Sequence, residues 1–182
     1  MTQFCKAVIR YCNKTNLNIN TIYIVGFDSF QGLPVPKHEA DEHVDWYKGK
    51  FSYSKDFVMK KIEETGFPLN NVLLIEGFYE DSLNEENFLK ISHLVPSIIT
   101  IDVDYYSSAK MALEFIAPIL KSGTFFYFDD YWSFHGHPQM GEIRAINEFN
   151  GKYGYLTPYN YINPLRNCTF IYSSLEWEHK SK

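Results

Sequence analysis

The sequence is poor in cysteine, has no cluster of basic residues and contains no long apolar run, and each shortage argues against a class of protein. Its three cysteines, Cys5, Cys12 and Cys168, are odd in number and lack the spacing of metal ligands, so we expect reduced thiols in a cytoplasmic protein. The net charge of -5, without any basic stretch, predicts no nucleic-acid partner. The apolar stretches are too short to cross a membrane, so we expect no membrane partner either.

The composition is otherwise that of an ordinary soluble globular protein. With 182 residues, of which 45% are hydrophobic and 21% charged, the chain is long enough to bury one core, and we expect a single domain over residues 1–182. Aromatic residues are abundant, with 14 tyrosines and 15 phenylalanines. Some of them are expected to line a pocket, because aromatic rings give contact area at low entropic cost; compositional bias is the alternative.

The stretch from residue 97 to residue 132 predicts a strand, a helix and a second strand. Ser97–Ile101 is apolar and rich in β-branched residues, which is typical of a strand buried on both faces. Apolar residues at helical spacing follow, with Ser107 and Ser108 as candidate helix caps. Thr124–Phe128 is a second apolar run of strand length. A strand, a helix and a strand of this length form a right-handed crossover, so the two strands should be parallel.

Both of these strands end on acidic residues. Asp102 and Asp104 follow the first strand, and Asp129 and Asp130 follow the second. Because the carboxyl ends of parallel strands meet at one edge of a sheet, Asp102, Asp129 and Asp130 should share one crevice. Carboxylates at short range repel one another, and a hard divalent cation such as Mg²⁺ would relieve that repulsion. The alternative is that the acids cap helices or face water.

The first part of the chain predicts a helix, a strand and a long loop. Thr2–Lys14 has apolar residues on one stripe, as an amphipathic helix does. Thr21–Phe27 is apolar and β-branched, which predicts a second strand buried on both faces, and it ends on Asp28. A carboxylate in that position of a nucleotide-binding fold can accept hydrogen bonds from both ribose hydroxyls. Ser29–Tyr53 is long for a loop in a compact domain and indicates either a lid or a surface insertion.

The remaining elements are predicted from caps and periodicity. Ser54 should cap a helix that ends near Gly66. We then expect a strand at Asn71–Ile75, a helix at Asn84–Leu94, a helix through Ile143, Ile146 and Phe149, and an antiparallel pair made by Tyr155–Ile162 and Cys168–Ser173.

Five stretches of the sequence resemble the macrocin O-methyltransferase family. They are FDSFQGLP (27–34), DWYKGKFSYS (45–54), GFYEDSL (77–83), IDVDYYSS (101–108) and FDDYW (128–132). The resemblance implies a class I methyltransferase that uses S-adenosylmethionine and Mg²⁺ to methylate a sugar hydroxyl of a glycosylated metabolite or glycan. It also implies the site residues: Asp28 on the ribose of the cofactor, Gly77 and Phe78 near its adenine, and Asp102, Asp129 and Asp130 on the metal.

The reaction that the resemblance implies needs a substrate with two neighbouring hydroxyls and a base. The metal would bind both hydroxyls of a vicinal diol and lower the pKa of the one that is methylated. His43, in the long loop, is our first candidate for the base that removes the proton, and His135 and His137 come next. The sequence leaves the choice among the three histidines open.

One part of the family pattern is missing. The implied fold is an α/β, Rossmann-like class I methyltransferase sheet, mostly parallel, with a C-terminal antiparallel pair, but no first strand and no glycine-rich turn precede Asp28. Three explanations are open: the strands that end at Asp28 and Asp102 pair directly, another segment fills the slot between them, or the chain is a fragment of a longer protein. We expect an exposed or mismatched slot beside the strand Thr21–Phe27, self-association through that edge, and weak or no binding of S-adenosylmethionine by these 182 residues alone. A non-catalytic remnant that serves as a binding or partner subunit is the alternative function.

Overall fold

The computed structural model describes residues 1–163 and 167–176, and it divides into two compact units. The first unit comprises residues 1–34 and 49–82, and the second comprises residues 35–48 and 83–182. The helices are α1 (Thr2–Thr15), α2 (Lys55–Glu63), α3 (Tyr79–Ser82), α4 (Glu85–Ile91), α5 (Tyr106–Ile116) and α6 (Gly141–Phe149). The strands are β1 (Ile24–Asp28), β2 (Val72–Glu76), β3 (Ile98–Ile101), β4 (Phe125–Phe128), β5 (Tyr155–Asn163) and β6 (Asn167–Ser173).

The first unit contains a two-stranded parallel sheet. β1 and β2 pair in register from Ile24 opposite Val72 to Asp28 opposite Glu76. The apolar stripes of α1 and α2 pack with these strands into one core, formed by Cys5, Ile24, Ile62, Phe67 and Leu74. The Ser54 side chain accepts a hydrogen bond from the Phe57 amide, which confirms the predicted cap of α2.

The second unit contains a four-stranded sheet with the order β3-β4-β6-β5. β3 and β4 are parallel and joined through α5, as the crossover rule predicts. β6 runs antiparallel to both β4 and β5, which confirms the predicted C-terminal antiparallel pair. The α/β fold class is therefore confirmed. Among the described strands, β1 has β2 as its only neighbour and β3 has β4 as its only neighbour.

The strands are less buried than the sequence predicts. In the four-stranded sheet, Phe126 and Phe128 are fully buried, whereas Ile98 is 53% exposed and Phe125 is 39% exposed. Side chains alternate between the two faces of a strand, and only one face packs against α5 and α6. The prediction of burial on both faces was wrong for β3, because an apolar, β-branched run indicates a strand without showing how many of its faces are covered. β1 was likewise expected to be buried on both faces, yet of its residues only Ile24 is buried.

The helices α5 and α6 are joined by a polar network beside their apolar contact. Glu148 accepts hydrogen bonds from the Lys110 ammonium at 2.7 Å, the Arg144 guanidinium at 3.0 Å and the Tyr106 hydroxyl at 2.9 Å. Burial opposes ionisation of Glu148, but these donors outweigh it and lower its pKa to about 2. The network fixes α6 against α5.

None of the described helices has the length and apolar character needed to cross a membrane.

Candidate functional site

Three aspartates meet at the carboxyl ends of β3 and β4, and we call Asp102, Asp129 and Asp130 the acid triad. One carboxylate oxygen of each lies within 4.8 Å of the other two. The ladder between the strands continues as far as the triad, because the Asp129 amide donates to the Ile101 carbonyl at 3.0 Å. Asp102 is exposed, Asp129 is half-buried and Asp130 is buried. The predicted convergence of these acids is confirmed.

Neighbouring hydroxyls orient two of the triad carboxylates. The Tyr127 hydroxyl donates to Oδ1 of Asp129 at 2.6 Å, and the Ser133 hydroxyl donates to Oδ1 of Asp130 at 2.7 Å. Burial, followed by this hydrogen bond to Asp129, raises the pKa of Tyr127, so the phenol keeps its proton and remains a donor. Each hydroxyl uses one oxygen of its carboxylate and thereby fixes the direction of the other.

Asp104 is a fourth acid at the same strand end. Its backbone adopts φ 61°, in the left-handed region that Asp and Asn tolerate better than most residues. The side chain is buried, and Asp130 is the neighbouring group that acts on it most strongly. Burial, and after it the charge of Asp130, raises the pKa of Asp104 to about 8. A proton kept on Asp104 lowers the repulsion among the four aspartates.

Glu142 is a fifth acid, contributed by the first turn of α6. It is 1% exposed, and neither of its carboxylate oxygens has a hydrogen-bond partner among the described residues. Burial, followed by the charges of Asp130 and Asp102, raises the pKa of Glu142 well above its usual value. Gly141 precedes it at φ 50°, and a Cβ there would overlap the Phe134 ring. The close approach of Phe134 thus requires glycine immediately before Glu142.

Residues 35–48 of the predicted loop are fixed to the second unit by Asp41. Its fully buried carboxylate accepts hydrogen bonds from the Lys37 amide at 3.2 Å, the His38 amide at 3.1 Å and the Ser107 amide at 2.9 Å. The last bond caps the N-terminus of α5, where Tyr105 occupies the N-cap position without a side-chain cap of its own. The predicted caps, Ser107 and Ser108, were therefore wrong, because a carboxylate 66 positions upstream performs that function.

An aromatic cluster formed by His43, Trp46, Tyr105 and Phe134 lies beside the acids. The His43 ring stacks on Trp46 with centroids 4.2 Å apart and meets Phe134 edge-on at 5.3 Å. Trp46 also contacts Tyr105 at 5.8 Å, and Tyr105 directly follows Asp104 in the chain. These four rings pack together in the second unit, and the lining of a pocket by aromatic residues stays a prediction.

The candidate histidines already make local hydrogen bonds. Nδ1 of His43 accepts from the Asp45 amide at 3.2 Å, and Nδ1 of His137 accepts from the Gln139 amide at 3.2 Å. A neutral ring that accepts at Nδ1 carries its proton on Nε2. His135 is exposed, with φ 53°.

The residues expected at the cofactor come together in the first unit. Asp28 ends β1 with an exposed side chain, and its Oδ1 accepts from the Phe30 amide at 2.6 Å. The Gly77 amide donates to the Asp28 carbonyl at 3.0 Å, so the two strand ends adjoin. Gly77 has φ 142°, a conformation that side chains other than glycine rarely adopt, and the Phe78 carbonyl after it opens α3. This turn and Asp28 form one exposed edge.

A sequence model of the macrocin O-methyltransferase (TylF) family matches residues 4–165. The chain belongs to this family. The family match covers every site residue described above, from Asp28 to Glu142.

A similar protein from the curated relatives is also named as an O-methyltransferase. The chain is 26% identical over 142 residues to 8-demethyl-8-(2,3-dimethoxy-alpha-L-rhamnosyl)-tetracenomycin-C 4'-O-methyltransferase of Streptomyces olivaceus, a match that covers 75% of this chain and 50% of that protein. The chain therefore spans about half the length of this curated relative.

Two solved structures share the fold. The calicheamicin methyltransferase CalS11 superposes with a TM-score of 0.66 and 21% identity, over 82% of this chain and 60% of that one. The O-methyltransferase NovP superposes with a TM-score of 0.58 and 14% identity, over 93% of this chain and 78% of that one.

Sequence reasoning missed Asp41 and Glu142. Glu142 carried a signal, because it lies four and seven positions before Ile146 and Phe149 and therefore on the buried face of α6. An acid in the first turn of a helix is usually solvated and interacts favourably with the helix dipole, so the burial of Glu142 was not predicted. Asp41 lies three residues after His38, the spacing of a capping box, but nothing local indicates its bond to the Ser107 amide.

Asp41→Ala should release residues 35–48 from the second unit. The change removes an acceptor from three backbone amides, and we expect it to cost at least about 2 kcal/mol in the free energy of unfolding of that unit. Hydrogen exchange measured by mass spectrometry should show faster exchange in residues 35–48 and at the start of α5. Glu42→Ala, at the exposed neighbouring acid, is the control and should leave both peptides protected as in wild type. Equal protection in Asp41→Ala and wild type would contradict the tether.

Proposed function

We propose that this protein is an O-methyltransferase that transfers a methyl group from S-adenosylmethionine to a sugar hydroxyl with the help of Mg²⁺. The observation that carries the proposal is the acid triad, which lies at the ends of two parallel strands in a member of the macrocin O-methyltransferase family. A remnant that only binds a partner would have no need of several acids held together against their mutual repulsion.

The residues present fit a divalent cation of the magnesium type. Oxygen ligands of an octahedral magnesium lie about 3 Å apart when adjacent and about 4 Å apart when opposite, since each is about 2.1 Å from the metal. The triad oxygens lie within 4.8 Å of one another, so small side-chain rotations suffice to reach that geometry. Three carboxylates without histidine or cysteine are the donor set of a hard cation. A cation held there supplies a Lewis acid that orients two neighbouring hydroxyls and lowers the pKa of the one that reacts.

The proposed cofactor residues are Asp28, Gly77 and Phe78. The exposed Asp28 carboxylate at the end of β1 can accept from both ribose hydroxyls, because among the described residues only its Oδ1 has a partner, the Phe30 amide. Because Gly77 has no side chain, the backbone beside Asp28 is accessible, and the adenine ring of the cofactor can approach the turn closely. S-adenosylmethionine bound there supplies the methyl group on its sulfonium.

The proposed acceptor is a sugar with a vicinal diol. The relative from Streptomyces olivaceus is named for a rhamnosylated tetracenomycin, and CalS11 is named as a TDP-rhamnose 3'-O-methyltransferase. A pyranose with two adjacent hydroxyls presents two oxygens to one cation, as the triad requires. The aromatic cluster around Trp46 offers apolar faces on which the carbon-bound hydrogens of such a ring can rest.

We propose His43 as the base that removes the hydroxyl proton, with His135 and His137 as the other candidates. His43 lies in the second unit as a member of the aromatic cluster, in which Tyr105 directly follows Asp104 in the chain. To act as a base, its Nδ1 must release the Asp45 amide and take up the proton, because Nε2 is protonated in the neutral ring.

We further propose that the protein acts in the cytoplasm. Cys5, Cys12 and Cys168 are buried thiols that form no disulfide within the described part of the chain, which is the state expected in a reducing compartment. Self-association through the edge of β1 stays a prediction, and sedimentation of the purified chain would show it as a concentration-dependent increase in mass.

Asp129→Asn should weaken cation binding. The change removes one charge from the triad at nearly constant shape, so we expect affinity for Mn²⁺ or Mg²⁺ to fall by about tenfold or more with little change in folding. Titration calorimetry measures the affinity, and circular dichroism checks the fold. Asp56→Asn, at an exposed acid of the first unit, is the control. Equal affinity for Mn²⁺ or Mg²⁺ in wild type and Asp129→Asn would contradict a cation site at the triad.

His43→Asn should remove the proposed base and leave the local turn intact. An Asn side chain can accept from the amide two residues on, so the bond to Asp45 is kept while the base is lost. Methyl transfer from labelled S-adenosylmethionine to TDP-rhamnose, with Mg²⁺ present, should fall by about 100-fold or more. His137→Asn is the matched control, because His137 caps the Gln139 amide in the same way. Loss of methyl transfer in His137→Asn alone would identify His137 as the base. Full methyl transfer in both variants would exclude both histidines.

Asp28→Ala should weaken binding of S-adenosylmethionine by about tenfold or more, because the charge-assisted hydrogen bonds to the ribose contribute on the order of 1.5–3 kcal/mol. Equilibrium dialysis with labelled cofactor measures it. Asp28→Asn keeps the acceptor for the Phe30 amide and tests the charge alone. Identical affinities in wild type and Asp28→Ala would remove Asp28 from the cofactor site.

A further inference from the structure

Glu142 is a polar group in the second unit whose burial the fold does not explain. A carboxyl taken out of water without a hydrogen-bond partner costs free energy, and native structures seldom keep one without a function. Glu142 is 1% exposed, and both of its oxygens lack partners among the described residues. Ala145, Ile146 and Phe149 on the same helix are buried in the apolar core, so the packing of α6 gives no reason for a buried acid.

The position of Glu142 relates it to the acid triad. The charges that act on it most strongly belong to Asp130, Asp102, Asp104 and Asp129, all at the ends of β3 and β4. The start of α6 lies near the triad, because the Ser133 hydroxyl donates to Asp130 and the ring of the next residue, Phe134, closely approaches Gly141, which directly precedes Glu142. Glu142 is therefore close to the group of described residues that could hold a cation.

We propose that Glu142 is a further member of the cation site, where its carboxyl accepts hydrogen bonds from water molecules that a divalent cation on the acid triad retains. The inference rests on the proposed function, since it requires the triad to bind a cation. Magnesium usually keeps several of its waters in proteins, and each is a strong donor. Residues that hold such waters or orient the ligands are commonly worth 10–100-fold in metal affinity. Glu142 is thus a positioning residue, which holds the hydrated cation without touching the reacting hydroxyl.

The contrast with Glu148 on the same helix gives the control. Glu148 is satisfied by Lys110, Arg144 and Tyr106, so its role is to fix α6 against α5. Glu142 has none of these partners. A structural acid and a cation-site acid should therefore respond in opposite ways to neutral substitution.

The test compares Glu142→Met, Glu142→Gln and Glu148→Gln with wild type in the full chain. With EDTA present, Glu142→Met should raise the thermal unfolding midpoint by at least about 2 °C, because an unsatisfied carboxyl is replaced by an apolar side chain of similar size. In calorimetric titration, both Glu142 variants should bind Mn²⁺ at least about tenfold more weakly than wild type. Glu148→Gln should lower the unfolding midpoint and leave the Mn²⁺ affinity unchanged.

The outcomes separate this inference from the cation site itself. Mn²⁺ affinity unchanged in a folded Glu142 variant would overturn the role of Glu142 and leave the triad standing. Absence of Mn²⁺ binding by wild type would overturn both. If Glu142→Met does not fold, Glu142→Gln decides by the same affinity criterion, since it preserves size and polarity.

Discussion

Repulsion between carboxylates that share a partly buried site is the constraint on which the second unit depends. Parallel pairing of β3 and β4 brings four aspartates to one edge of the sheet, and α6 adds Glu142. The fold tolerates this arrangement through local devices. Tyr127 and Ser133 donate to the triad, and burial raises the pKa of Asp104 so that this carboxyl keeps its proton at neutral pH. These devices reduce the repulsion but add no positive charge, so the site is left selective for cations.

The surroundings of a carboxyl differ widely among Asp41, Glu148 and Glu142. Asp41 is fully buried and receives three backbone amides, so it contributes stability and positions a loop. Glu148 is half-buried and neutralised by two cationic side chains. Glu142 is buried and receives nothing from the described residues. Satisfied acids are explained by the fold, whereas an unsatisfied acid requires an explanation from function.

Much of the site could be predicted from the sequence, because the relevant rules are local or topological. Apolar runs ending on Asp102 and on Asp129 located the strand ends, and the handedness of the crossover brought them together. The motifs at 27–34 and 101–108 identified the family. What was missed depends on contacts between distant positions. The cap that Asp41 provides to α5 is invisible in the sequence around α5, and the exposure of Ile98 depends on which elements cover the sheet.

The left-handed backbone of Asp104 limits which amino acids the position can hold. At φ 61°, Asn and Gly are the residues that fit most readily besides Asp, whereas Glu would keep the charge but strain the turn. Single-base changes in an Asp codon reach all three alternatives. A single mutation can therefore remove the charge and keep the backbone conformation, as Asn or Gly would. It can also keep the charge and strain the backbone, as Glu would. Relatives with Asn, Gly or Glu there would show which of the two properties natural selection retains.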